Sequence, residues 1–328
     1  DAEQILLQIS FIDKSVESGV IRMHRLVQTA VIRRMTSEER QQMFSILVEI
    51  LGENLPDTYS SDIGHQVASW ERCERSLSHL ESIVQKNAEF SIIPGDNQPF
   101  AELLLRFCWY LYEREDYSIA RSFVKTALQY LSDRNTLAYA SAVGLQGLID
   151  LDISRPATAL EAFQKAHKIR AAILPIDDVF LAASLVNIGL AYTELGRLDE
   201  AYKYLQKSID IWLQHNSDWV GNSYSNNSSL LLRMERADEA EEMLKQCLSL
   251  KDFMDEISLK TGNPRFSGGM ILLDRIWLVQ GRYDQSLNLA SKALGFRWQC
   301  LGERLKVCDS LYQVASLLER GNNPALSM

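Results

Sequence analysis

Five polar side chains recur at helical spacing along one stretch: Asn222, Ser225, Asn226, Ser229 and Arg233. Side-chain amides offer both donors and an acceptor, hydroxyls offer both, and a guanidinium only donates. Several such groups on one helix face can hydrogen-bond the backbone of an extended peptide, giving affinity without a strict sequence demand. Asn222, Asn226 and Arg233 fall at i, i+4 and i+11, so they share a stripe and are expected to be partly exposed. The same stripe is also compatible with a face that is only solvated. Catalytic chemistry has less to stand on. Local spacing suggests no Ser/His/Asp or Cys/His set and no carboxylate pair in a Gly-rich turn. Glu38-Glu39 and Glu241-Glu242 read as solvated helix faces. Cys73, Cys108, Cys247, Cys300 and Cys308 are odd in number, widely spread and free of CxxC pairs. They read as reduced, mostly buried thiols of a cytoplasmic protein, and no metal or other cofactor is expected.

The elements that must carry the polar stripe repeat along the chain. A small residue follows a turn and opens an amphipathic helix at Ala120, Ala159, Ala201, Ala240 and Ser286, spaced 39, 42, 39 and 46 apart. A period near 40 with two helices per unit marks an α-solenoid. In the best copy Leu185, Ile188, Gly189 and Tyr192 recur at helical spacing and stop at Leu195-Gly196. A second helix then runs from Leu198 through Ala201 and Leu205. Gly189 and Ala201 let the two helices approach closely. The matching place holds Cys108, Gly147, Ser228 and Asp274 in the other copies. First helices are predicted near 99–113, 136–151, 178–195, 218–234 and 265–280. Second helices are predicted near 117–131, 156–172, 198–214, 237–254 and 283–300, with a further first helix from about 303 to 320.

These residues resemble the tetratricopeptide repeat, in the longer variant of kinesin-light-chain-like arrays; Asn187 in Leu-Val-Asn-Ile-Gly-Leu-Ala-Tyr fits that variant. The resemblance implies that first helices line a concave face. It nominates Arg106, Asn187, Asn222, Ser225, Asn226, Ser229, Arg233 and Arg275 as contacts to a protein or peptide ligand. Trp109 and Tyr112 point there too, and also suit packing between repeats.

The first hundred residues differ in kind. Val20 to Gln28 follows a Ser-Gly turn signal, starts as a strand and becomes a helix to about Arg34. Thr36-Ser37-Glu38-Glu39 is a helix start with an N-cap and an acidic first turn. A third helix from about Val67 carries Trp70, Cys73, Leu77 and Leu80. Two prolines and a glycine in 92–99 mark a hinge. Met23-His24-Arg25-Leu26-Val27-Gln28, with Trp70-x-x-Cys73, Leu77 and His79 downstream, resembles the end of the winged-helix region in fungal NLR-like STAND proteins. There an NB-ARC nucleotide-binding module precedes the winged helix and tetratricopeptide repeats follow. That resemblance implies a contact from His24 to nucleotide phosphate; within this chain His24 reads as a helix-start residue bonded to backbone. No Gly-x-x-x-x-Gly-Lys-Ser/Thr occurs, so the phosphate-cradling loop and any ATPase would lie upstream of Asp1.

Composition narrows the partners. A net charge of −9 opposes nucleic acid as the main partner, since phosphate binding needs a basic stripe. No apolar run of about 18 residues is present, so no membrane insertion is expected. The chain starts at Asp without a secretory pattern and reads as a mature or excised piece. The expected fold is all-α: a winged-helix remnant over 1–35, a helical linker bundle over 36–95, and a right-handed solenoid of about five and a half repeats over 96–328. The expected function is ligand sensing within a signalling ATPase, the alternative being a constitutive scaffold without a nucleotide switch. The final helix carries Leu305, Cys308, Leu311, Tyr312, Ala315 and Leu318. Only partial cover is expected for this stripe, which makes self-association through an uncapped end an expectation too.

Overall fold

The computed structural model describes residues 2–8, 12–15, 17, 21–55, 67–92, 98–215, 220–247 and 265–322. The chain divides into two compact units, one of residues 1–54 and 76–99, the other of residues 55–75 and 100–328.

In the first unit, helix α1 (Ala2–Gln8) precedes an antiparallel hairpin of β1 (Ile12–Lys14) and β2 (Ile21–Met23), paired Ile12 to Met23. Helix α2 (Arg25–Arg34) follows directly, so the strand-then-helix reading of this segment is what the backbone adopts. His24 caps α2: its Nδ1 accepts the Leu26 N–H at 3.2 Å. Helix α3 (Ser37–Asn54) opens on a reciprocal capping box. The Glu39 N–H donates to Thr36 Oγ1 at 3.2 Å, and the Thr36 N–H donates to Glu39 Oε2 at 2.7 Å. Helix α4 (Val67–Phe90) is shared, residues 67–75 belonging to the second unit and 76–90 to the first.

The second unit is a TPR-like α-solenoid of consecutive helix pairs. They are α5 (Gln98–Glu113) with α6 (Tyr117–Tyr130), α7 (Leu137–Asp152) with α8 (Pro156–Ile173), and α9 (Val179–Glu194) with α10 (Leu198–Gln214). Then come α11 (Val220–Arg233) with α12 (Ala237–Lys245), α13 (Arg265–Val279) with α14 (Tyr283–Leu301), and a single first helix, α15 (Leu305–Asn322). Starts and stops match the sequence periodicity closely. The exceptions are α12, read to about 254 but ending at Lys245, and α15, which runs on through Gly321. The segment 248–264, most of the proposed hinge (93–97) and the residues after 322 lie outside the described residues.

The period is written in the backbone as well as in the side chains. Five residues before each small residue, the chain enters the left-handed region: Glu115, Ser154, Gly196, Glu235 and Gly281, with φ between 61° and 75°. The next residue returns its N–H five residues back: Asp116 to Leu111, Arg155 to Asp150, Arg197 to Tyr192, Arg236 to Leu231 and Arg282 to Trp277, all at 2.8–3.0 Å. This 6→1 closure satisfies carbonyls that a helix end leaves open. Glycine takes the position at no steric cost in two repeats; the other three accept a side chain there at roughly 1–2 kcal/mol.

Helix pairing rests on the small residues. Ala120, Ala159, Ala201, Ala240 and Ser286 are all fully buried. A Cβ on Gly189 would stand 2.7 Å from Leu205 Cγ and 3.5 Å from the Ala201 carbonyl oxygen; one on Gly147 would stand 2.6 Å from the Phe163 ring. Where glycine is replaced, the new side chain bonds across the pair. Cys108 Sγ donates to the Ala120 carbonyl at 3.2 Å, Ser228 Oγ donates to the Ala240 carbonyl at 2.7 Å, and Asp274 accepts from Ser286 Oγ at 2.9 Å. Each substituted polar group thus finds a partner across the pair, while Asp274 Oδ2 stays buried without one.

Packing also differs between the two sides of the array. First helices of successive repeats touch one another, α7 with α9, α9 with α11, α11 with α13. Second helices make no comparable contact among the described residues. First helices are thus the closer side, the side to which the repeat resemblance assigns the inner face.

Candidate functional site

Asn187, Asn226 and Arg106 hold the same place, two residues before the position that faces the second helix (Gly189, Ser228 and Cys108). Two residues turn a helix by about 200°, so these side chains leave from the side opposite the pair contact. Asn222, Asn226, Ser229 and Arg233 fall within roughly 60° of each other on α11 at 3.6 residues per turn. All four retain exposure, Arg233 the most.

Their commitments differ. Among the described residues, Asn187, Ser225, Asn226, Ser229 and Arg275 make no hydrogen bond or ion pair. Arg275 is exposed and the others are half-buried. Asn222 is already engaged within the chain. Arg106 Nη1 donates to the Leu55 carbonyl at 3.3 Å. Arg233 Nη1 donates to the Thr193 carbonyl at 3.1 Å and its Nη2 pairs with Glu194, tying the end of α11 to the end of α9. Arg106 and Arg233 therefore brace the array, and the open hydrogen-bonding capacity of the inner face concentrates on the amides and hydroxyls of α9 and α11.

At the first repeat the inner face is aromatic and acidic. Trp109, Tyr112 and Tyr117 form a ladder with ring centroids 5.6 and 6.0 Å apart. Tyr117 Oη donates to Asp152 Oδ2 at 2.9 Å. Burial raises the Asp152 carboxyl above its ordinary range, with Lys306 and the two tyrosine hydroxyls pulling it back. Trp109 and Tyr112 thus pack within the first repeat, and Tyr112 also reaches Asp152 of the second. Sequence periodicity did not point to Asp152, nor to the partners of Glu115 and Asp116 far along the chain. One signal was present: the residue before the second helix is Arg in four repeats and Asp116 in the first.

The cysteines divide by environment. Cys73, Cys108 and Cys247 are buried, Cys300 is half-buried and Cys308 is exposed. Burial pushes the Cys73 thiol up to about 11 and the Cys108 thiol well above its ordinary value. No described helix is long and apolar enough to cross a membrane.

Comparison with known proteins agrees with the fold. Residues 180–252, spanning α9 to α12, match the tetratricopeptide repeat family model, so the chain carries tetratricopeptide repeats. Residues 1–40 match a domain of unknown function, DUF7779. No curated protein matches the chain. Among solved structures, NprR in complex with its cognate peptide NprX is similar at 14% identity and a TM-score of 0.52, over 79% of this chain and 74% of that one. A STAND protein with a tetratricopeptide repeat sensor from Pyrococcus horikoshii is similar at 18% identity and a TM-score of 0.46, over 88% of this chain and 41% of that one. A kinesin light chain protein with TPR-like repeats from Podospora anserina is similar at 13% identity and a TM-score of 0.43, over 60% and 93%.

Proposed function

We propose that the repeat array is a sensor that holds an extended protein or peptide segment on its inner face. We further propose that it couples this ligand to a nucleotide-binding module upstream, as in fungal NLR-like STAND proteins. The observation that carries the reading is the set of uncommitted hydrogen-bonding groups on α9 and α11: Asn187, Ser225, Asn226 and Ser229. Half-buried amides and hydroxyls that bond nothing within the chain can exchange water for an extended backbone, which offers a donor and an acceptor at each residue. The fold shared with NprR is one that holds a peptide in that protein. Arg275 adds a cation at the next repeat. In the coupled protein His24 meets nucleotide phosphate through Nε2, its Nδ1 being engaged by the start of α2.

The test is selection of binders from a displayed library of unstructured peptides, followed by titration of the winners against wild type and the Asn187→Ala/Asn226→Ala double variant. A loss of tenfold or more in the variant, with the melting curve unchanged, supports the reading. Unchanged affinity places the ligand elsewhere. A protein carrying no phosphate-binding loop before Asp1 would reduce the role to that of a scaffold.

A further inference from the structure

Four of the five helix pairs place an arginine immediately before the second helix: Arg155, Arg197, Arg236 and Arg282. The first pair places Asp116 there. Its two carboxylate oxygens receive Nη1 and Nη2 of Arg304 at 2.7 and 3.3 Å, across 188 residues of chain. Beside it, Glu115 Oε2 accepts the Lys306 backbone N–H at 3.1 Å, and its Oε1 stands 3.3 Å from Lys306 Nζ. The Glu115 side chain is only 1% exposed, and its backbone sits in the left-handed region at φ 63°. The cationic half is anchored in turn. Arg297 on α14 donates from Nη1 to the Lys306 carbonyl and to Ser310 Oγ, both at 2.9 Å.

The turn of the first repeat therefore meets the entry to the last helix. The contacts described at this joint are ion pairs and hydrogen bonds. Asp116 and Arg304 are each about a third exposed, at 32% and 30%. Such a joint is directional and weakened by salt, since screening shortens from about 10 Å at 0.1 M to about 3 Å at 1 M. An apolar joint would strengthen under many of the same conditions.

We infer that Glu115 and Asp116, with Arg304 and Lys306, form a clasp that joins the two ends of the array, and that releasing it opens the inner face. The departure from the repeat pattern at Asp116 is then a fitted part: an arginine there would repel Arg304. A ligand that binds the open form better than the closed one shifts the array toward opening; this last step alone rests on the sensor reading above.

The test is small-angle X-ray scattering of the full chain, without ligand, at 0.05 M and 1 M salt. Wild type is expected to expand at high salt. Arg304→Glu is expected to be expanded at both. Asp116→Arg/Arg304→Glu reverses the pair and is expected to restore the compact form at low salt. Asp116→Arg installs the residue that the other repeats already carry, so it tests the contact without disturbing the turn, and its expansion alone also supports the clasp. A radius of gyration identical in wild type, Asp116→Arg and Arg304→Glu at low salt, with helix content and melting intact, overturns it. No peptide enters this experiment, so its outcome is independent of the binding titration.

Discussion

Ser286 Oγ donates a hydrogen bond to Asp274 Oδ1 at 2.9 Å, across the fifth helix pair, at the place where the third pair sets Gly189 against Ala201. Both residues are fully buried. One repeat closes its helices by leaving room, the other by a charge-assisted bond. Ser286→Ala removes the donor but keeps the packing. It is expected to cost about 1–3 kcal/mol, the penalty for a buried polar group losing a partner. Urea denaturation measures it.

Gly189→Leu fails for the opposite reason. The first added carbon already lies 2.7 Å from Leu205 Cγ. The branched remainder has to push α9 away from α10, at an expected cost of about 1–3 kcal/mol by overpacking. The same leucine at Gly268, whose Cβ would meet nothing within 4 Å, is expected to stay within about 0.5 kcal/mol of wild type.

Burial raises the Asp274 carboxyl above its ordinary value, with Ser286, Gln313 and Arg275 pulling it back. A raised folded pKa means that the native state holds this proton more tightly than the unfolded state. At neutral pH the carboxylate therefore subtracts from stability, and the penalty fades as pH falls through the folded pKa toward the ordinary value. Asp274→Asn keeps an acceptor for both hydrogen bonds. It is expected to gain stability over wild type at pH 7 and to lose that advantage by pH 4. Denaturant midpoints at the two pH values check the sign.

Thiol reactivity should rank by burial. A thiol reagent at neutral pH is expected to modify Cys308 first and Cys300 more slowly, leaving Cys73 and Cys108 protected until the chain unfolds. Mass mapping of modified peptides reads the order.

Much of the array was legible from side chains alone, because Gly189, Ala201 and their equivalents report a local requirement repeated five times. The left-handed turn residues were half legible. Gly196 and Gly281 announce themselves, but Glu115, Ser154 and Glu235 adopt the same conformation without the usual signal, held there by the helices on either side. Arg106 and Arg233 fall at ligand-contact places of the repeat, and each also donates to a backbone carbonyl. Their partners, Leu55 before the repeats and Thr193 in a neighbouring one, are set by tertiary packing, which a repeat alignment does not contain. The Asp116–Arg304 pair depends on the curvature accumulated over the whole array. The stripe on α15, expected to be partly covered by the fifth pair, is instead the open side of that helix. Leu305, Cys308, Leu311, Tyr312, Ala315 and Leu318 are all exposed, while Val307, Ser310 and Leu317 are buried.

Arg233→Ala and Asn226→Ala separate bracing from binding. Arg233 joins two repeats through a backbone carbonyl and Glu194, so its loss is expected to lower stability by about 1 kcal/mol. Asn226 bonds nothing among the described residues, so its truncation is expected to leave the melt within about 0.5 kcal/mol.

The central claim is that the first helices, and not the second, hold an extended ligand. Placing a photo-reactive side chain at Asn226 on α11, or at the exposed Lys203 on α10, and irradiating with a selected peptide bound, asks this most directly. The account predicts cross-links to the peptide from position 226 and none from position 203. Cross-links from position 203 alone would contradict it.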